Sequence, residues 1–256
     1  MRPSGRDRGT ILVMEIANAV VLITGAAQRV GRAVALDLAA RGAHVAFSYY
    51  AAHEPWQETL AAIAQAGRPG FAMQADLTQP AQARALVQAT LSRFGRIDVL
   101  INNASVWLKQ PALEIEEAAW EAEMALNAKA PFILSQAVAP PMLRQGGGVI
   151  INMTDLSAFQ AWPGYAHHAA SKAALVALTR VLAAEWAPHI RVNAIAPGTV
   201  LLPDDADEAK RRWAIEKSLL KRIGSPDDVA RTVRYLIEED FATGAVYFVD
   251  GGRSLV

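Results

Sequence analysis

The chain predicts an α/β fold, a single doubly wound parallel sheet of about seven strands with helices on both faces. Three observations predict it. Short apolar runs rich in β-branched residues recur along the sequence, and segments with helical apolar spacing lie between them. Polar residues capable of chemistry fall just after the apolar runs, at one end of the implied sheet.

Ala19 to Thr24 is the first strand, stopped by Gly25. The next stretch is a turn, an amphipathic helix, a stop at Gly42 and a second strand ending near Phe47, which together make one βαβ unit. Further strands are expected at Gly70 to Ala75, Ile97 to Ile101, Val149 to Met153, Ile190 to Ile195 and Ala245 to Val249. Ser225-Pro226 opens the last helix, an N-cap followed by proline at the first helical position.

A chain of 256 residues with 52% hydrophobic content can bury a sizeable core as one domain, here residues 19–256. Residues 1–18 read as a flexible N-terminal arm. Its apolar run, Ile11 to Met14, is too short for a signal peptide and is interrupted by Glu15, and Met14 is an alternative start. Basic and acidic residues both number 25, so no net field draws the chain to nucleic acid or to a membrane, and no apolar run approaches a membrane span. The absence of cysteine excludes disulfides, thiolate zinc sites and cysteine nucleophiles, and it fits a cytoplasmic location.

In doubly wound sheets ligands bind beyond the carboxyl ends of the strands. Those ends carry Thr24-Gly25, Asp76 with Leu77, Asn102-Asn103-Ala104-Ser105, Asp155 and Pro197-Gly198-Thr199. The loop Gly25 to Gly31, which includes Arg29 and Val30, lies where backbone N–H groups and a helix dipole favour a pyrophosphate. The second strand ends Phe47-Ser48-Tyr49-Tyr50, with no carboxylate to repel a 2′-phosphate and with Arg29 available to neutralise one, which points to NADP(H).

The stretch Asp155 to Lys172 carries a carboxylate, a phenol, two imidazoles and an amine. At about 100° per residue, Tyr165, His168 and Lys172 fall on one face of a helix and His167 points elsewhere. Taken alone, the stretch is equally an alanine-rich packed helix with a polar stripe. His44, His53, His167 and His189 lack metal-ligand spacing, so no metal site is expected. Trp120, Trp162, Trp186 and Trp213 are most simply core or interface residues.

From Ala19 to Val256 the sequence resembles the classical short-chain dehydrogenase/reductase superfamily. The matching residues are Thr24-Gly25 followed by Gly31, Asp76, Asn102-Asn103-Ala104, Asn127, Ser171-Lys172 and Pro197-Gly198. Within it the chain is most similar to pteridine reductases and dihydrofolate/dihydromonapterin reductases, through TGAAQRVG, NNASVW, Asp155 and the tail DGGRSL. The resemblance implies a Rossmann-type fold and an NADP(H)-dependent reductase acting on a small flat heterocycle or carbonyl compound. Asn127 would be the proton-relay asparagine, and Trp107 would stack on the substrate with Ser105, Asp155 and Arg29 nearby. Gly25, Arg29, Val30, Gly31, Ser48, Tyr49, Asp76, Leu77, Asn103, Ala104, Lys172, Pro197 and Gly198 would hold the cofactor. The segment Glu116 to Leu143 and the helix after Tyr165 resemble the pair through which such proteins form homotetramers or homodimers.

The chain departs from that pattern at His168, which stands four residues before Lys172 where the superfamily has a tyrosine. Three proton donors are therefore open: His168 paired with Asp155, Asp155 itself, and Tyr165. A nucleotide-binding protein that has lost catalysis and acts as a sensor or assembly partner is the alternative. Leu201 to Ser218, with Asp204, Asp205 and Asp207, is expected to cover the pocket as a flap.

Overall fold

Seven strands, β1 (Val20–Ile23), β2 (His44–Tyr49), β3 (Phe71–Gln74), β4 (Val99–Asn102), β5 (Gly148–Met153), β6 (Ile190–Pro197) and β7 (Val246–Val249), form one sheet. Their order is β3-β2-β1-β4-β5-β6-β7 and every neighbouring pair is parallel. The computed structural model describes residues 14–203 and 205–256. Among the described residues, eight α-helices connect the strands: α1 (Arg29–Ala40), α2 (Trp56–Gln65), α3 (Pro80–Phe94), α4 (Glu117–Met124), α5 (Ala130–Arg144), α6 (Ala166–Trp186), α7 (Glu208–Glu216) and α8 (Pro226–Glu238).

Alternation along the strands sorts the core into two layers. Val21 and Ile23 of β1, Val45 and Phe47 of β2, and Val99 and Ile101 of β4 pack with Val34 and Leu38 of α1, Ile63 of α2, and Val233 and Leu236 of α8. Leu22, Ala46, Leu100, Ile150 and Val192 face the other way, onto Leu86 of α3, Leu134 and Val138 of α5, and Leu182 of α6. The register sets Ile23 beside both Phe47 and Ile101, so β1 is flanked on both edges and its carboxyl end lies where the winding reverses.

Three differences from the sequence reading have physical causes. Ile16 is 4% exposed within the first core layer and Met14 packs against it, so the fold begins before Ala19; residues 1–13 of the expected arm lie outside the described residues. The segment 116–143 is three pieces: α4, a π-helical turn at Ala125–Lys129, and α5. Pro131 lacks the N–H that would bond the Asn127 carbonyl, and the wider turn accommodates that loss. Tyr165 is the N-cap of α6, with φ −132° and ψ 31°, and so lies outside the helix it was expected to share with His168 and Lys172.

Gly31 stands where α1 passes the end of β1. A Cβ there would lie 2.5 Å from the Gly25 carbonyl oxygen and 2.6 Å from Asn103 Nδ2. Gly31→Ala is therefore expected to destabilise the fold by about 1–3 kcal/mol, a fall of about 2–4 °C in Tm per kcal/mol by thermal denaturation.

Candidate active site

A cavity of about 600 Å³ lies over the carboxyl ends of β1 to β4. Gly25, Arg29, Val30, Gly31, Ser48, Tyr49, Asp76, Leu77, Asn103, Ala104 and Ser105 all line it. Its floor is fastened at the switch point: Thr24 Oγ1 accepts from the Asn103 and Ala104 N–H groups at 2.9 Å, and Asn103 Nδ2 donates to the Thr24 and Gly25 carbonyls at 2.9 Å. Gly25 takes φ 63°, and Arg29, at φ 55°, holds a left-handed conformation that costs a non-glycine residue roughly 1 kcal/mol. Gln28 offers α1 no side-chain cap, which leaves the first N–H groups of that helix to the cavity.

Several lining residues have partners of their own. Ser48 Oγ accepts from Gly25 N at 3.1 Å and is buried, so it ties the loop down. Tyr49 is stacked on Trp56, with ring centroids 4.9 Å apart. Asp76 Oδ1 accepts from Thr78 N and Thr78 Oγ1. The end of β2 itself carries no carboxylate, but one reaches the cavity from farther along the loop. Glu54 lines the same cavity, its Oε1 accepting from the Tyr50 N–H at 2.9 Å and the Ala51 N–H at 2.7 Å. Lys172, Pro197 and Gly198 lie outside this cavity's lining.

The second group is built from α4, the π-helical turn, the end of β5 and α6. His168 is buried, and its Nε2 lies 2.7 Å from Asp155 Oδ2. Its Nδ1 lies 3.1 Å from Oε2 of Glu123, a residue the sequence reading did not single out. The available signal was the spacing of Glu123 and Asn127, four apart and hence on one side of a helix. Asn127 Nδ2 reaches Glu123 Oε2, Ser171 Oγ and the Val106 carbonyl, and its Oδ1 accepts from Val106 N and Ser105 Oγ. Lys172 Nζ donates to the Met153 carbonyl at 3.0 Å. Among the described residues, no three His, Asp or Glu side chains could hold a metal ion together.

Tyr165 does not join this group. Its ring stacks on Trp107, with centroids 5.3 Å apart and planes 14° apart, and burial raises its phenol pKa, the wrong direction for an acid. Trp162 meets Tyr165 edge-on, and the Arg253 guanidinium lies 5.0 Å from the Trp162 ring and 4.8 Å from the Trp213 ring. Trp213 belongs to α7, so the segment expected as a flap leans on the same wall; Asp204 within it lies outside the described residues.

Burial and charge oppose each other across the group. For Asp155 burial is the largest influence and pushes its pKa up, but the His168 hydrogen bond and the nearby Lys172 outweigh it and hold the carboxyl down at about 2. For His168 burial again is largest and pulls downward, and the hydrogen bonds to Asp155 and Glu123 overcome it and raise the imidazole. Burial lowers Lys172 against the pull of Asp155 and Glu123.

His168, raised in the folded state, contributes stability that is complete below its unfolded pKa of about 6.5 and is lost as pH rises through the raised value. Asp155, lowered, contributes stability above its unfolded value of 3.8 that is lost as pH falls through about 2. Asp155→Asn is expected to lower Tm by at least about 4 °C near pH 6 and to converge on the wild type toward about pH 2, measured by calorimetry across pH.

Comparison with known proteins agrees with this geometry. The family described as Enoyl-(Acyl carrier protein) reductase matches residues 25–254. A 3-oxoacyl-(acyl-carrier-protein) reductase of Staphylococcus epidermidis is 34% identical over 240 residues, 92% of this chain and 98% of that protein. The 2-dehydro-3-deoxy-D-gluconate 5-dehydrogenase of Dickeya dadantii is 34% identical over 241 residues, 91% of this chain and 94% of that protein. The crystal structure of a short-chain alcohol dehydrogenase assigned in Sinorhizobium meliloti superposes with a TM-score of 0.89 at 32% identity, covering 94% of this chain and 98% of the other. With the parallel sheet, the switch-point cavity and these likenesses together, the chain belongs to the classical short-chain dehydrogenase/reductase family and is a short-chain-type oxidoreductase.

Proposed function

We propose that the protein is an NADP(H)-dependent reductase of a C=N or C=O bond in a flat, polar heterocycle of the pterin kind, working as a homodimer or homotetramer. The observation that carries this is the Asp155, His168 and Lys172 cluster beside the stacked Trp107 and Tyr165, next to a glycine-lined cavity at the switch point. The residues present fit a dinucleotide: Gly31 is a cradle that a Cβ would fill, and the uncapped start of α1 offers N–H groups to a pyrophosphate.

When bound, the reduced nicotinamide supplies the hydride. The chain supplies the rest. Gly25 to Gly31 would hold the phosphates, and Arg29 would be the cation for a 2′-phosphate. The Trp107 face, 56% exposed, is a platform for a flat ring. Hydride arrival leaves an electron pair on the heteroatom, which must then take a proton. The Asp155 side chain is 25% exposed and the His168 side chain 2%, so of the pair Asp155 is the one a substrate can reach, with the imidazole enclosed beside it. Lys172 places a buried cation nearby, favouring the carboxylate form of Asp155 between turnovers. For assembly, Trp120 of α4, Leu143 of α5 and Val181 of α6 are exposed apolar side chains on the helices that resemble the family's contact pair.

One observation favours a second reading. Because the His168 ring is almost wholly enclosed, no imidazole nitrogen meets a substrate directly, as expected of a nucleotide-binding protein that has given up catalysis.

NADPH is expected to bind more tightly than NADH, with Arg29→Ala narrowing the difference and Glu54→Gln widening it, by fluorescence titration; equal dissociation constants in the unmutated protein would reject the cofactor assignment. NADPH oxidation against dihydropterins, dihydrofolate, quinones and ketones tests the activity. With an accepted substrate, the chemical step should slow as pH rises through the raised imidazole pKa, and His168→Ala should cost about 10²–10⁴ in rate. A profile flat across that range with unimpaired turnover of the alanine variant removes His168 from the mechanism. Firm NADPH binding without turnover of any of these compounds decides for the non-catalytic reading.

A further inference from the structure

We infer that Glu123 is a positioning residue for proton delivery: it holds His168 as a doubly protonated imidazolium between two carboxylates, so that His168 resupplies Asp155 while Asp155 protonates the substrate. The delivery step rests on the reductase reading above; the clamp itself rests on geometry alone.

Glu117 and Glu121 of α4 are exposed, but Glu123 is fully buried. A buried carboxylate is costly unless its oxygens are matched by donors and its charge by a cation. Oε1 accepts from the Leu108 N–H at 2.8 Å, and Oε2 faces Asn127 Nδ2 and His168 Nδ1. Leu108 and Asn127 contribute neutral donors, so the cation in direct contact is His168.

The ring's two carboxylate contacts together disfavour the neutral forms. A neutral imidazole has one N–H and one lone pair. Either tautomer would turn its lone pair onto a carboxylate oxygen, Asp155 Oδ2 at 2.7 Å or Glu123 Oε2 at 3.1 Å. The doubly protonated ring donates at both contacts, whereas a ring protonated at Nε2 alone would set its Nδ1 lone pair against Glu123 Oε2 at 3.1 Å with only the longer Asn127 Nδ2 contact, 3.4 Å, in compensation. The charged groups facing it are Glu123 from α4, Asp155 from the turn after β5, and Lys172 one turn along α6; Asn127 and Ser171 complete the surround as neutral groups. Arg253 is a further cation within charge range of Asp155. Two carboxylates outweigh the one ammonium at the imidazole.

The step balances. A bound reduced nicotinamide would supply the hydride of the new C–H bond, and the electron pair of the opened C=N or C=O bond would pass to the heteroatom. The His168 Nε2–H bond breaks, the proton crosses Asp155, and the heteroatom gains an N–H or O–H bond. Asp155 begins and ends as a carboxylate. His168 ends neutral, with Nδ1–H still donated to Glu123 and its Nε2 lone pair turned to Asp155, ready to be recharged from solvent. Glu123 thus fixes which nitrogen gives up its proton, as the carboxylate partner of a catalytic histidine does.

The test compares wild type, Glu123→Gln and Glu123→Asp in the full chain with NADPH bound. The imidazole nitrogens are followed by ¹⁵N resonance, with His168→Ala used to assign the signal among five histidines. In the wild type both nitrogens of His168 should be protonated near neutral pH. In Glu123→Gln the titration midpoint, and with it the inflection in the rate of the chemical step, should move down by about 1–3 pH units, with Glu123→Asp recovering part of the shift. KM and NADPH affinity should stay near wild type while kcat falls. A neutral His168 tautomer in the wild type at neutral pH, or an unchanged midpoint in Glu123→Gln, overturns the proposal. If Glu123→Gln does not fold, the wild-type spectrum decides alone. A protonated His168 that shifts as expected, in a protein that turns over none of the compounds above, defeats the reductase reading and its delivery step while the clamp stands.

Discussion

Electroneutrality in a buried space is the constraint on which the site depends. Glu123, Asp155, His168 and Lys172 come from α4, the end of β5 and α6, and three of the four are almost without solvent. Charges taken out of water are tolerated only when paired and hydrogen-bonded. With His168 protonated the four sum to zero, two anions against two cations. The π-helical turn belongs to the same solution: it carries Asn127, whose amide bonds Glu123 on α4 and Ser171 on α6 and whose carbonyl oxygen holds the loop at Val106. A regular helix through Ala125–Lys129 would aim that side chain differently.

The scaffold supplies the second requirement, a strand end open to a ligand. Thr24 and Asn103 join the two halves of the sheet where the order passes from β1 to β4, using a hydroxyl and an amide where the ladder has ended. Fastening the loop there, with the Gly25 and Ala26 N–H groups held by Ser48, leaves the uncapped start of α1 to present N–H groups, and Arg29 keeps its left-handed backbone at a cost which points to a task for its guanidinium. Glu54 complicates the charge at the same place. It lies close enough to line the cavity, and one of its oxygens is spent on two backbone N–H groups.

A second group of side chains forms an aromatic and cationic wall. Trp107 and Tyr165 stack, Trp162 meets Tyr165 on edge, and Arg253 lies over both Trp162 and Trp213 while donating to Thr199 Oγ1. Four segments distant in sequence, after β4, before α6, in α7 and at the C-terminal end, thereby become one surface. Planar faces with a cation behind them suit a flat polar ring more than a flexible chain.

The fold was legible in the sequence because the information for it is local. Apolar runs such as Ala19 to Thr24, the helix-period segments and the one-sided placement of Thr24, Asp76, Asn103 and Asp155 each depend on neighbours along the chain. Element ends shifted only slightly, as with β4 beginning at Val99 and β6 running to Pro197. Asp155, His168 and Lys172 were legible too, by helical spacing and resemblance. What the tertiary structure decided was pairing across distance. Helical arithmetic put Tyr165 beside Lys172, but the Pro163-Gly164 turn leaves it outside α6 and Trp107, some sixty residues earlier, takes its ring. Glu123 looks in sequence like one more acid in an acidic surface helix, and Glu54 like a loop residue. Only the packing of α4 against α6 makes the first a partner of His168, and only the return of the chain after β2 brings the second to the cavity. Spacing along a chain fixes which face a side chain takes, and the charge waiting on that face is set by the elements packed against it.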